Sequence, residues 1–204
     1  YADLTWDGKR PPAIHAMARH GGVIHIGSFS KSVAPALRVG FVVAPWQIMS
    51  IMLALKTDAG SGALEQMLLA EYCAAHFERH VPELVRGMRA KLDTLMEALN
   101  AEFGTAAEFV APKGGIFLWV KLPDQVDAIR LAQAALKAGV SINPGPEWST
   151  DAGHARSRLR LCFASPSHQQ IRDGIAILAE ICHSEFGVPV RSANVDKSRI
   201  RIDR

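Results

Sequence analysis

The spacing of apolar residues predicts the elements of the first part of the chain. Continuous apolar runs over residues 23–26 and 41–44 predict two neighbouring strands, the first of them buried, because short unbroken runs are typical of strands in a core. Apolar residues that recur every three or four positions predict helices over residues 48–55 and 63–80. A shorter helix is predicted over residues 13–20.

The pattern changes at Pro82. A proline is tolerated in the first turn of a helix, so Pro82 is expected to open a second long helix over residues 83–103. Beyond residue 107, short apolar runs alternate with amphipathic segments. The predicted strands cover residues 108–110, 116–122, 140–142 and 158–164, and the predicted helices cover residues 126–137 and 167–186.

These elements predict an α/β protein with two domains and a tail. Residues 1–81 are expected to form part of a sheet-and-helix domain, and residues 82–186 a smaller α+β domain. Residues 187–204 show no periodicity and are expected to be disordered.

Composition and charge limit the classes of protein to which this chain can belong. Of the 204 residues, 49% are hydrophobic and 21% are charged, which is typical of globular proteins. The formal net charge is +3, and the tail from residue 187 carries five basic and two acidic residues. The rest of the chain is therefore balanced and predicts no nucleic-acid surface. No apolar run approaches the ~20 residues of a membrane span, and three distant cysteines indicate reduced thiols in the cytoplasm.

Two cations and two hydroxyls are predicted at the ends of the first two strands. Ser28, Ser30 and Lys31 follow the first strand, and Arg38 precedes the second. A guanidinium matches the oxygens of a phosphate, and a lysine near a second cation favours the neutral amine that forms a Schiff base with an aldehyde. From spacing alone, a solvated lysine on a serine-rich turn and an ordinary surface arginine are the favoured interpretation.

The residues of this segment resemble a known family. Ser28-Phe29-Ser30-Lys31, followed by Ala36-Leu37-Arg38-Val39-Gly40, is similar to the lysine segment of class I/II (fold type I) aminotransferases, which use pyridoxal phosphate, PLP. The resemblance implies that Lys31 is the catalytic lysine and carries the cofactor, and that Ser28 and Arg38 hold its phosphate. Tyr1 stands where the family has a tyrosine that contacts the phenolic oxygen of PLP.

The resemblance continues to about Phe186. Gly114-Gly115 and Asn143-Pro144-Gly145 are similar to turns of the family's small domain, and Arg160-Leu161-Cys162-Phe163-Ala164 is similar to the strand whose arginine binds the substrate carboxylate. The family's glycine-rich and aspartate motifs belong to sequence that would precede Tyr1. The resemblance therefore implies the C-terminal part of a fold type I large domain followed by the smaller domain, with little activity in this chain alone.

The choice of Arg160 has support from strand alternation. Arg156, Arg158 and Arg160 share one face if the strand begins early enough, while Leu159, Leu161 and Phe163 point the other way, toward a core. Periodicity does not choose among the three. Arg160 is the deepest and is followed by the small residues Cys162 and Ala164, whereas Arg156 is expected to be solvated.

The resemblance implies transamination between an amino acid and a 2-oxo acid in a homodimer. The subgroup that looks most similar contains 2-aminoadipate and aromatic aminotransferases. It also contains the aminotransferase-like halves of GntR-type (MocR) regulators, where the domain senses an effector. Both kinds of protein keep the lysine motif, so both stay open, and nucleic acid is a partner only if a DNA-binding domain precedes this chain.

Two other spacings in the chain fit motifs of different function. Ser28 and Lys31 fit the serine–lysine motif of β-lactamases, but that motif must begin a helix, and Pro35 follows closely here. His76 and His80 lie one helical turn apart, a spacing found in metal sites, but no third ligand is evident, so no metal is predicted.

Overall fold

The computed structural model describes residues 2–58 and 60–189. These residues form two compact units, of which the first ends at Val85 and the second begins at Arg86. The division falls within the longest helix. Among the described residues, no helix combines the length and the apolar character needed to cross a membrane.

The first unit is built on a pair of antiparallel strands. Strands β1 (His25–Ser28) and β2 (Gly40–Val43) pair with Ser28 opposite Gly40 and Gly27 opposite Phe41, which agrees with two neighbouring strands. Close contact explains both glycines. A Cβ on Gly40 would lie 2.8 Å from the carbonyl oxygen of Gly27, and a Cβ on Gly27 would overlap the ring of Phe41.

Helices flank this pair of strands along the chain. Helix α1 covers Ile14–Met17, which is shorter than predicted, and helix α2 covers Trp46–Leu55. A single helical turn, Pro35–Leu37, lies between the two strands.

The prediction that the first strand is buried is wrong. Ile26 is 75% exposed and Ile24 is 44% exposed, because β1 and β2 pair only with each other among the described residues. One face of this hairpin is therefore left open. Most exposed large hydrophobic side chains belong to the first unit: Ile14, Met17, Ile24, Ile26, Phe41, Val43, Trp46, Ile51, Met52, Leu53, Leu55, Leu64, Met67 and Leu68.

The predicted helix break at Pro82 is also wrong. Helix α3 runs unbroken over Ala63–Glu102, 40 residues with Pro82 inside. Proline removes one helical hydrogen bond, but burial of the apolar stripe of Leu92, Leu95 and Leu99 stabilises the helix beyond it. The helices on both sides of Pro82 therefore form one continuous element.

The second unit contains a four-stranded antiparallel sheet and two helices. The strands β3 (Glu108–Phe109), β4 (Phe117–Lys121), β5 (Asn143–Pro144) and β6 (Arg158–Cys162) lie in the order β3-β4-β6-β5. The helices are α4 (Ala128–Lys137) and α5 (His168–Phe186). Its core consists of buried apolar side chains from the sheet and the helices: Leu118, Val120, Leu131, Leu159, Leu161, Phe163, Ile171, Ile175 and Leu178.

Local signals fix the helix ends of the second unit. Asp127 caps α4 by accepting from the backbone N–H groups of Ile129 and Arg130, both at 3.1 Å. Ser167 and Gln170 form a capping box at the start of α5. Gly187 ends α5 in the left-handed conformation, with φ of 66°.

Two predicted segments differ from the structure. Residues 140–142 are not a strand, because the N–H of Val140 bonds to the carbonyl of Ala135 at 2.8 Å and closes the end of α4; the strand begins at Asn143. The first residues of the predicted disordered tail are ordered, since Val188 is 2% exposed and its N–H bonds to the carbonyl of Cys182 at 3.1 Å. Residues 190–204 lie outside the described residues.

Candidate active site

A tight turn after β1 presents Lys31. The N–H groups of Val33 and Ala34 both donate to the carbonyl of Phe29, at 2.9 and 3.2 Å. The N–H of Phe29 donates to the carbonyl of Val39 at 3.3 Å, which extends the pairing of the two strands. The side chain of Lys31 is exposed at this turn.

The two serine hydroxyls of the turn are bonded to each other. Ser28 Oγ donates to Ser30 Oγ at 3.0 Å and accepts from the N–H of Ser30 at 3.1 Å. This local ring of bonds is typical of serine in turns and fixes the orientation of both hydroxyls at the end of β1.

Arg38 lies at the same end of the strand pair. It follows the helical turn Pro35–Leu37 and adopts φ 54° and ψ 34°, the left-handed region that non-glycine residues rarely occupy. Its Nη1 donates to the carbonyl of Pro35 at 3.2 Å, and its own carbonyl accepts from Ser61 Oγ at 3.4 Å. Because Ser28 lies opposite Gly40, the strand pairing brings Ser28 and Arg38 to one end of the hairpin.

A hydrogen-bonded pair of side chains on α3 supports the lysine turn. His80 Nε2 lies 2.9 Å from the carbonyl oxygen of Ser32, and Tyr72 Oη lies 3.1 Å from His80 Nδ1. Ser32 follows Lys31 directly and is 4% exposed. Sequence reasoning missed this role, although Tyr72 and His80 are two helical turns apart and thus share a helix face.

The two histidines of α3 that have a spacing found in metal sites, His76 and His80, contact other protein groups. Both ring nitrogens of His80 have protein partners, and the ring of His76 packs on Tyr72 with a centroid separation of 5.2 Å. Among the described residues, no group of three or more His, Cys, Asp or Glu side chains is arranged to hold a metal ion.

In the second unit, β6 carries Arg160 opposite Asn143 and Trp119. Arg160 Nη2 donates to Asn143 Oδ1 at 3.2 Å. Its Cζ lies 3.1 Å from the ring centroid of Trp148 and 4.0 Å from that of Phe117. Cation–π contacts of this kind hold the plane of a guanidinium. The Nε atom of Arg160 is buried and has no hydrogen-bond partner among the described residues.

The other two arginines of this segment have different surroundings. Strand β6 begins at Arg158, so Arg156 precedes it; as predicted, Arg156 is exposed, and it pairs with Asp127 at 3.4 Å. Arg158 Nη1 donates to the carbonyl of His154. Of the three, Arg160 is the arginine packed against aromatic rings. Leu159, Leu161 and Phe163 are buried, as predicted.

The helical turn Gly145–Trp148, which follows β5, packs closely against β6. A Cβ on Gly145 would lie 2.6 Å from the carbonyl oxygen of Arg158 and 2.7 Å from that of Ala155. A larger residue would displace this turn, which carries both Asn143 and Trp148 toward Arg160. Trp148 was missed from the sequence because nothing in its spacing ties it to the strand.

The predicted site residues therefore fall into two groups. Ser28, Lys31 and Arg38 lie in the first unit, and Arg160 lies in the second. Tyr1, the predicted contact of the phenolic oxygen, lies outside the described residues.

Comparison with known proteins identifies the family. The family model for aminotransferase class I and II matches residues 1–178. The chain therefore belongs to the class I and II aminotransferase family, as the motifs predicted, and the predicted fold type I class is confirmed.

Three similar proteins illustrate the family. The 2-aminoadipate transaminase of Thermus thermophilus is 32% identical over 86% of this chain and 45% of its own length. The uncharacterized HTH-type transcriptional regulator YdfD of Bacillus subtilis is 30% identical over 86% of this chain and 36% of its own length. The crystal structure of LysN, an α-aminoadipate aminotransferase of Thermus thermophilus complexed with N-(5'-phosphopyridoxyl)-L-leucine, is 31% identical, with a TM-score of 0.80 over 88% of this chain and 47% of its own. The chain thus spans half or less of the length of these relatives.

The donor groups of the first unit fit the chemistry of PLP. The aldehyde of PLP forms a Schiff base only with a primary amine, and Lys31 carries one at an exposed turn. A phosphate requires N–H and O–H donors, and an exposed guanidinium and a serine hydroxyl lie together at the end of the strand pair.

Proposed function

We propose that the protein is a PLP-dependent aminotransferase that moves an amino group between an amino acid and a 2-oxo acid. The observation that carries the proposal is the lysine turn. In this turn Lys31 comes shortly after Ser28, and Arg38 shortly precedes Gly40, the strand partner of Ser28, in a chain of the aminotransferase family.

The first unit would hold the cofactor. Lys31 would hold its aldehyde carbon through the amine, Ser28 and Arg38 would bind its phosphate, and Tyr1 would contact its phenolic oxygen. When bound, PLP would supply the electron sink of the reaction. The amine of Lys31, when free, would move a proton at the α-carbon of the substrate.

The second unit would bind the substrate carboxylate through Arg160. A planar guanidinium presents two parallel N–H donors, which match the two oxygens of a carboxylate. Trp148 and Phe117 fix the plane of the guanidinium, and Asn143 Oδ1 holds one of its nitrogens. The N–H groups of Nη1 and the second N–H of Nη2 are left to meet the carboxylate.

The likeness to the 2-aminoadipate transaminase supports 2-aminoadipate as a candidate substrate. Homodimerisation and a cytoplasmic location are part of the same proposal. Free thiols at Cys73, Cys162 and Cys182 support a reducing compartment.

A regulator is the second candidate function. The similarity to YdfD, an HTH-type transcriptional regulator, favours an effector-sensing domain of the GntR/MocR type. Such a protein would use the same lysine and bind DNA through a separate domain. Sequence ahead of Tyr1 that encodes a winged helix, together with cofactor binding and no turnover, would favour it.

Lys31→Ala in the protein that carries this chain tests the proposal. We expect the absorbance of lysine-bound cofactor and transamination to be lost together. Lys56→Ala is the matched control, since Lys56 lies in the same unit and pairs with Asp58. Normal turnover in Lys31→Ala would overturn the proposal.

A further inference from the structure

We propose that His80, oriented by Tyr72, is a positioning residue for the amine of Lys31. The inference rests on the proposed function and adds to it a contact that reaches the lysine turn from α3. It involves residues that lie outside every motif of the lysine segment.

The bonds of the His80 ring determine which nitrogen carries the proton. The carbonyl oxygen of Ser32, 2.9 Å from Nε2, only accepts, so Nε2 donates to it. In the neutral ring, Nδ1 then accepts from the hydroxyl of Tyr72, 3.1 Å away. The two rings meet edge-on, with an interplanar angle of 80° and a centroid separation of 5.6 Å. Tyr72 thus fixes the orientation in which His80 reaches the turn.

The bond from His80 anchors the turn from a second direction. The other bonds across the turn join Val33 and Ala34 to the carbonyl of Phe29, next to β1. His80 instead ties the residue after Lys31 to a helix 48 residues later in the chain. Ser32 is almost fully buried, so loss of this bond leaves its carbonyl without a partner and favours a shifted turn.

This anchor matters because the side chain of Lys31 is exposed and flexible. The position of its amine depends on where the backbone of the turn lies. A shift of about 1 Å at a reacting group is enough to slow a reaction about a hundredfold. The proposed phosphate contacts of Ser28 and Arg38 do not depend on this carbonyl, since Ser28 ends β1 and Arg38 bonds to the carbonyl of Pro35 and to Ser61.

The experiment compares four variants of the protein that carries this chain. His80→Phe keeps an aromatic ring and removes both hydrogen bonds, whereas His80→Gln restores an N–H donor toward Ser32. Tyr72→Phe removes the outer bond alone. His76→Phe is the matched control, because His76 contacts Tyr72 on the same helix and has no bond to the turn.

Two measurements on cofactor-free protein distinguish a misplaced Lys31 amine from a general loss of cofactor binding. The rate at which added PLP gains the absorbance of the lysine-bound cofactor reports the placement of Lys31. The affinity for pyridoxamine phosphate, which carries the phosphate but no aldehyde, reports the phosphate site.

We expect His80→Phe to slow attachment of PLP about tenfold while the affinity for pyridoxamine phosphate stays within about twofold. kcat should fall with little change in the KM for the amino acid. His80→Gln should recover most of the attachment rate, Tyr72→Phe should show a smaller loss, and His76→Phe should match the wild type.

Unchanged attachment and kcat in His80→Phe would overturn the inference, as would an equal loss in His76→Phe. If His80→Phe does not fold, Tyr72→Phe decides, and wild-type attachment there would contradict the role of the pair. Turnover that survives Lys31→Ala would instead sink the proposed function. Loss of turnover in Lys31→Ala with wild-type behaviour in His80→Phe would remove only the present inference.

Discussion

Arg38 combines an unfavourable backbone with an exposed guanidinium. Its left-handed conformation costs a non-glycine residue about 1 kcal/mol, and glycine adopts it freely. Residues in such conformations cluster at functional sites, where the position of a side chain outweighs local stability. This agrees with the proposed phosphate contact.

Arg38→Gly should separate these two effects. We expect the free energy of unfolding to hold or to rise by up to about 1 kcal/mol, because the backbone strain is relieved. Retention of PLP during dialysis should fall, since a charged bidentate contact contributes about 1.5–3 kcal/mol. Full retention would remove Arg38 from the phosphate site.

The three arginines near β6 give a second prediction at the scale of single residues. Arg160→Lys should raise the KM for the amino acid sharply, because an ammonium cannot make the planar two-point contact with a carboxylate. Arg158→Lys is the control, since Arg158 is bonded to the carbonyl of His154. Steady-state kinetics on both variants decides the site. A larger loss of kcat/KM in Arg158→Lys would show that Arg158, and not Arg160, binds the substrate carboxylate.

At the scale of elements, Asp127 is the side-chain cap of α4. The N–H of Arg130, helped by that of Ile129 and by Arg156, holds the pKa of the Asp127 carboxyl below its ordinary value of 3.8. A lowered pKa means that the folded state favours the charged form. The stabilisation is therefore complete above the ordinary value and is lost as the pH falls through the lowered one.

Asp127→Ala should reduce the free energy of unfolding by about 1 kcal/mol at neutral pH. The difference from the wild type should shrink as the pH falls below the ordinary Asp value. Urea unfolding across that range measures it. Asp127→Asn keeps a cap without the charge, and a difference between Ala and wild type that did not depend on pH would contradict the electrostatic part of the account.

Local signals made many elements predictable from the sequence. The apolar run before Lys31 and the alternation around Arg160 each act within a few residues, and the structure has a strand near each predicted range, although the strand before Lys31 is exposed. The failures came from non-local effects. Local spacing predicts that a new helix begins at Pro82. It does not show the packing of Leu92 and its neighbours, which stabilises one continuous helix.

The same distinction applies to the candidate site. The predicted roles of Ser28, Lys31 and Arg38 came from contiguous motifs, and they stay predictions that the experiments above test. Contacts that join distant segments were missed, because His80 reaches Ser32 across 48 residues and Trp148 reaches Arg160 through a turn held by Gly145. No spacing rule connects those positions.

At the scale of the whole molecule, exposed apolar side chains are unevenly distributed. Helix α2 of the first unit exposes Ile51 by 62% and Leu55 by 75%, and the open face of β1 exposes Ile26 by 75%. Ile51 and Leu55 lie one helical turn apart, so α2 presents an exposed apolar face, which is typical of interfaces and favours association. The proposed homodimer provides one way to cover such surface.

The chain produced by itself should therefore self-associate at micromolar concentrations. Changing Ile51 and Leu55 together to Glu should reduce association, because charge opposes the burial of that helix face. Leu136→Glu is the control, as Leu136 is 65% exposed on α4 of the second unit. Size-exclusion chromatography over a range of concentrations measures the effect, and a monomer at every concentration would contradict the expectation.

Attachment of the cofactor to Lys31 is the central claim, and chemical trapping tests it most directly. The protein that carries this chain would be incubated with PLP, reduced with borohydride, digested and mapped by mass spectrometry. The account predicts that the reduced adduct lies on Lys31 and is absent when pyridoxamine phosphate replaces PLP. An adduct spread over surface lysines such as Lys9 and Lys56, with Lys31 unmodified, would contradict it.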